Sequence, residues 1–127
     1  MALLVPDVGE EALLTRMLAT DVVMHLYING VTPTEADTTA TYTEAVDGSY
    51  AEATLTGGSW TVGTDAGTTS GVYAQQDFTF GGASTVYGYF VTDSAGTTLL
   101  WAEKFSTEAS FGAGGGTVSV TPSIELQ

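Results

Sequence analysis

Cysteine is absent from the sequence, so neither disulfides nor thiolate metal sites are available and the fold must be held by packing alone. Positive charge is nearly absent as well: Arg16 and Lys104 stand against 15 acidic residues, for a formal net charge of -13. A phosphate-binding surface draws its affinity from clustered Lys and Arg, and two cations far apart in sequence build no cluster. Nucleic acid and anionic membranes are therefore not expected as partners. No apolar run approaches the roughly 20 residues that a membrane-spanning helix needs. The opening segment MALLVPDVGEE has an apolar patch but no basic region, and its carboxylates arrive early. That is unlike a secretory signal, and the expectation is a soluble product made in the cytoplasm.

Signatures of chemistry are missing too. His25 is the one histidine; it sits in an apolar strand with Asp21 as its only carboxylate nearby in sequence, the placement of a structural residue. The serines, among them Ser49, Ser70, Ser84, Ser94, Ser106 and Ser110, lie in turns and loops without a G-x-S-x-G elbow. The glycine pairs at Gly57, Gly81 and Gly114 lack the lysine of a phosphate loop. Glu10 with Glu11, Glu35 with Asp37, Glu44 with Asp47, and Asp93 are candidate glycosidase acids, but spacing selects no pair, and solvated acids of turns and of the helix start are the simpler account. Calcium takes several oxygen ligands. Glu35, Asp37, Asp47, Asp65 and Asp93 offer them in loops, with the Glu35/Asp37 loop first, although none follows the EF-hand pattern. The expectation is a non-enzymatic protein with no catalytic residue, no cofactor and no metal site assigned, loop-bound calcium being the alternative weighed.

What is present suits a β domain. Apolar residues make up 43% and aromatics 10% of the 127 residues, enough for a chain that buries roughly two-thirds of its unfolded surface. Threonine is abundant, and its branched Cβ favours extended backbone. Residues 7–20 read as the one helix, with Asp7 as cap and Glu10 completing a capping box. Val8, Leu14, Met17 and Leu18 recur at helical spacing and Leu13 widens the stripe. This face either packs on the protein's own sheet or, with Leu3, Leu4 and Val5, docks on a partner, since terminal elements are readily lent to a neighbour.

From Asp21 the period changes to two: Val22, Met24, Leu26 and Ile28 alternate with Val23, His25 and Tyr27. A surface loop follows around Pro33, then a short strand near 40–45 and a hairpin-type turn at Asp47-Gly48. The SYAEATLT stretch is ambiguous in register, Trp60 and Val62 form a brief strand, and GTDAGTTSG reads as a flexible loop. Val72 to Phe80, TVYGYFVT and TTLLWAEKF form a three-stranded meander over 72–105, its middle strand apolar on both faces. After the Gly-rich SFGAGGG, one last strand places Val118, Val120, Ile124 and Leu126 on one face. The fold class is mainly β, an antiparallel β-sandwich or barrel with one N-terminal α-helix, in a single domain with an arm and helix over 1–20 and the β unit over 21–127. Outward-facing Tyr73, Tyr87 and Tyr89 on the meander are a second candidate contact patch.

LLVPDVGEEALLTRML is followed by the VTPTEADT loop, YTEA, TLTGGSWT, YAQQDFTF, VYGYFVTDSAGTTLLWAEKFS and VTPSIEL. In this succession of segments the chain resembles, nearly end to end, small virion structural proteins of tailed bacteriophages. The resemblance is greatest to capsid decoration, or cement, proteins. It implies a β domain on the outer capsid surface of the virion that bridges neighbouring major capsid protein subunits and self-associates as a dimer or trimer. A head-to-tail, neck or tail-tube part is the rival, favoured if segments 63–71 and 107–116 are long loops that order only in a ring. A carbohydrate-binding β-sandwich on the virion surface is the other, with exposed Tyr and Trp as its sugar platform.

Overall fold

A computed structural model describes residues 3–126; Met1, Ala2 and Gln127, the extreme ends of the expected arm and last strand, lie outside the described residues. The elements are α1 (Asp7–Met17), β1 (Val22–Tyr27), β2 (Ala53–Leu55), β3 (Thr61–Asp65), β4 (Thr68–Val72), β5 (Gln76–Phe80), β6 (Ser84–Asp93), β7 (Leu99–Phe111), β8 (Gly116–Val120) and β9 (Ser123–Leu126). They form a four-stranded sheet in the order β2-β1-β6-β7, a three-stranded sheet β3-β4-β9 and a two-stranded ribbon β5-β8. Every pairing is antiparallel. The protein is thus mainly β with one N-terminal helix. Its layers are sandwich-like and do not close into a barrel, because β2 and β7 end the larger sheet.

The central strand β1 is buried along its whole length. Its Val22, Met24 and Leu26 face the main core, where they meet Leu14 and Leu18 of α1, Leu55, Trp60, Phe78, Phe80, Val86, Tyr89, Val91, Val118 and Val120. Its other face is covered by the excursion between β1 and β2. There Tyr42 packs on Tyr27 and Phe90, with ring centroids 4.9 and 5.2 Å apart. Asn29 fastens the excursion, its side-chain amide donating to the Thr41 carbonyl while its oxygen accepts from the Thr43 amide. The proline-containing polar segment is a loop, as its composition implies, and it shields one side of the sheet. The expected strand near 40–45 is instead a 3₁₀ turn over Thr39–Thr41 and a single bridge between Glu44 and Tyr27.

Several expectations are corrected by long-range pairing. No meander spans 72–105: β5 pairs with β8, and of the three expected strands only β6 and β7 pair with one another. Segment 63–71 is no flexible loop but the β3-β4 hairpin, turning at Ala66-Gly67, both at positive φ. A two-residue turn of that kind matches the twist of its flanking strands. Residues 107–111 continue β7. The single last strand is two strands in different sheets, β8 and β9, separated by Thr121-Pro122. α1 stops at Met17, and its N-cap is Pro6 without a side-chain hydrogen bond, so the Asp7 cap and the capping box do not form.

Gly88 is the closest approach in the central sheet. It pairs with Tyr27, whose ring would lie 2.7 Å from a Cβ placed there, and the Glu103 carbonyl stands on the same spot. Neither backbone nor a fully buried ring can give way, so Gly88→Ala is expected to cost about 3 kcal/mol of stability by overpacking. A urea midpoint equal to that of the unaltered protein would refute this account.

Candidate functional site

The helix and arm present an unusual distribution of side chains. Apolar spacing assigns one face to Val8, Leu14, Met17 and Leu18, but the structure splits this set. Leu14 and Leu18 are fully buried against the sheet and are not available to a partner, whereas Val8, Leu13 and Met17 are exposed. Leu3 and Leu4 are 91% and 85% exposed, and Val5 is half-buried. The acids turn the other way: Thr69 donates to Glu10 at 2.8 Å and Thr64 to Glu11 at 2.7 Å. Two leucines and two carboxylates therefore hold α1 to β3 and β4, while five large apolar side chains of the arm and helix face solvent. A buried hydroxyl needs a hydrogen-bond partner, and Thr69, wholly buried, finds it in Glu10. Met17 also lines, with Leu100, Val22 and Asp93, a groove of about 440 Å³ beside the helix end.

The tyrosine patch does not form. Tyr89 is 1% exposed, lies in the main core, donates to Glu103 and reaches the Ser123 carbonyl. Burial, then the Glu103 charge, pushes its phenol up to about 12. Tyr87 packs with the other cluster, beside Tyr27, Tyr42 and Phe90. The two part because the β6-β7 register shifts between Val86 and Gly88, which overrides the alternation that would put residues two apart on one face. Tyr73 lies between β4 and β5, edge-on to Trp60, and its hydroxyl accepts from the Thr56 amide.

The loop acids do not converge on a cation site among the described residues. Asp37, Asp47 and Asp93 instead accept hydrogen bonds from nearby backbone and hydroxyl groups. Asp37 accepts from the Tyr42 hydroxyl and from the Thr34 amide and hydroxyl; Asp47 from the Gly81 and Ser49 amides; Asp93 from Thr97 and Thr98. These bonds hold all three carboxyls below the ordinary range.

One titratable cluster does assemble, around the histidine. His25 Nδ1 lies 2.9 Å from Glu44 Oε2 and 3.2 Å from Glu52 Oε2. Its Nε2 is 2.9 Å from the Thr92 hydroxyl, and its ring stacks on Phe90 at 4.7 Å. The Tyr50 hydroxyl donates to Glu44 at 2.8 Å and accepts from the Leu26 amide; burial first, and then Glu44, raises its pKa well above the usual phenol range. Glu44 and Glu52 escape a local reading because long-range pairing brings them to His25: the β1-β2 register, continued past Met24 and Ala53, sets Glu52 opposite His25, and a separate bridge to Tyr27 carries Glu44. The chain matches no family model, no curated protein and no solved structure.

Asp47 binds protons less readily in the folded chain than in the unfolded one, so its contribution is complete above the ordinary carboxylate range near pH 4 and is lost as pH falls through the lower folded value. Relative to Asp47→Asn, the unaltered protein is expected to show a stability advantage that is constant above about pH 5 and shrinks as the pH falls below the ordinary carboxylate range. Urea midpoints across this range measure it; self-repulsion of the acidic surface is nearly common to both chains. A gap independent of pH would contradict the assignment.

Proposed function

We propose that the chain is a non-enzymatic capsid decoration protein of a tailed bacteriophage, seated on the outer shell and bridging neighbouring major capsid subunits. The observation that carries this reading is the outward apolar set of Leu3, Leu4, Val8, Leu13 and Met17, on the arm and on a helix whose Glu10 and Glu11 turn toward the sheet. Desolvating such side chains at the centre of an interface supplies contact energy. The rest of the surface keeps free copies apart through a net charge of -13. The complementary face on the shell is then an apolar groove rimmed by Lys and Arg. Binding to the assembled shell and not to separated subunits shifts the equilibrium toward assembly by mass action.

The ring reading has less support, since segments 63–71 and 107–111 are paired strands in the single chain. The sugar-platform reading lacks its patch, with Tyr89 buried and Tyr87 on the other side of the sheet.

Particles carrying the protein should disassemble at a higher temperature than stripped ones, and adding the purified chain back should restore the difference. The double substitution Leu3→Ser with Leu4→Ser should abolish rebinding while leaving the protein's own melting temperature unchanged, because both side chains are almost fully exposed. Equal disassembly temperatures, or full rebinding by the double variant, would defeat the proposal, as would a copy number in particles of six or twelve.

A further inference from the structure

We infer that His25, Glu44 and Glu52 form a binding site for a divalent transition cation of the zinc type, and that the ion fastens the β1-β2 excursion to the central strand. His25 is only 6% exposed, and both of its ring nitrogens are engaged: Nε2 lies 2.9 Å from the Thr92 hydroxyl, while Nδ1 faces two carboxylate oxygens, 2.9 Å from Glu44 and 3.2 Å from Glu52. Two carboxylates converging on one nitrogen of a buried imidazole make a place for a cation.

The donor set and its supports favour the metal. One imidazole nitrogen and two carboxylate oxygens lie within 4.8 Å of one another. Metal bonds of roughly 2.0–2.2 Å put neighbouring donors roughly 3.0–3.5 Å apart, and Nδ1 stands 2.9 and 3.2 Å from the two carboxylate oxygens. A ligating imidazole characteristically donates its other N–H to a fixed acceptor, which sets the tautomer; here that acceptor is the Thr92 hydroxyl. Glu44 is oriented in turn by the Tyr50 hydroxyl. The side chain of Glu52 is 55% exposed, which leaves an entry path and open positions for water. Calcium and magnesium prefer all-oxygen sites, whereas an imidazole ligand selects zinc and its neighbours. A dication also balances two carboxylates and a neutral ring, which a second ring proton does not.

The test uses the full chain, stripped with a chelator and titrated with zinc chloride by calorimetry and thermal melting. The expected result is one ion per chain, a rise in melting temperature that magnesium at the same concentration does not produce, and a loss of about tenfold or more in zinc affinity in Glu52→Gln. Because Glu52 is half exposed, that variant should keep the melting temperature of the metal-free protein, and it changes the diffuse acidic charge very little. Nitrogen-15 spectra of the histidine ring should show the Nδ1 signal moving to that of a metal-bound nitrogen as zinc is added. Equal zinc binding by the unaltered chain and Glu52→Gln, or an Nδ1 signal unmoved at saturating zinc, would overturn the inference.

Discussion

Burial of the β1-β6 pair on both faces is the constraint from which the rest of the architecture follows. A strand whose six residues are all buried must be covered twice, and this chain does so with different materials. On one side stand the helix, the β5-β8 ribbon and the β4-β9 strands, which supply leucine, valine and aromatic side chains. On the other side the cover is a polar excursion that contributes little beyond Val31 and Tyr42 to the packing and is secured by hydrogen bonds through Asn29 and Asp37. The buried polar residues His25 and Thr92 lie on this second side, opposite one another's neighbours in the β1-β6 register, where carboxylates from the excursion can reach them.

Strong periodicity made part of this legible in advance. The alternation from Val22 to Ile28 and the doubly apolar run around Val86 to Thr92 identify the two central strands, and the helix is placed correctly at its start. What failed did so for physical reasons. The segment from Gly63 to Gly71 is rich in small polar residues and reads as a loop, yet its threonines pair across a hairpin because Glu10 and Glu11 satisfy their hydroxyls from the helix. Phe78 and Phe80 announce a strand but not its mate, which lies some forty residues on in β8. Of the candidate contact residues, Leu3, Leu4, Val8 and Met17 are exposed as a docking role requires. Leu14, Leu18 and Tyr89 belong to the core, and one register shift was enough to separate Tyr87 from Tyr89. The histidine cluster was invisible because its members come from positions 25, 44 and 52 and meet only through strand pairing.

The helix is held to the sheet by only part of its apolar surface. Its docking to the sheet uses only Leu14, Leu18 and two carboxylate-hydroxyl contacts, leaving the remaining apolar side chains uncommitted. A more conventional arrangement, with all the leucines inward and the glutamates outward, would be better solvated but would have nothing to offer a neighbour. The strongly acidic surface offsets that exposure by keeping copies apart.

The long outer strand β7 has a further consequence. As the last strand of its sheet it leaves one row of backbone amides and carbonyls without a neighbouring strand, a template on which another chain could add. The irregularity between Val86 and Gly88 breaks its ladder in mid-course, so an incoming copy would find no continuous straight edge. A strand of 13 residues can therefore remain at the rim of the sheet without seeding fibres, even where many copies are crowded side by side.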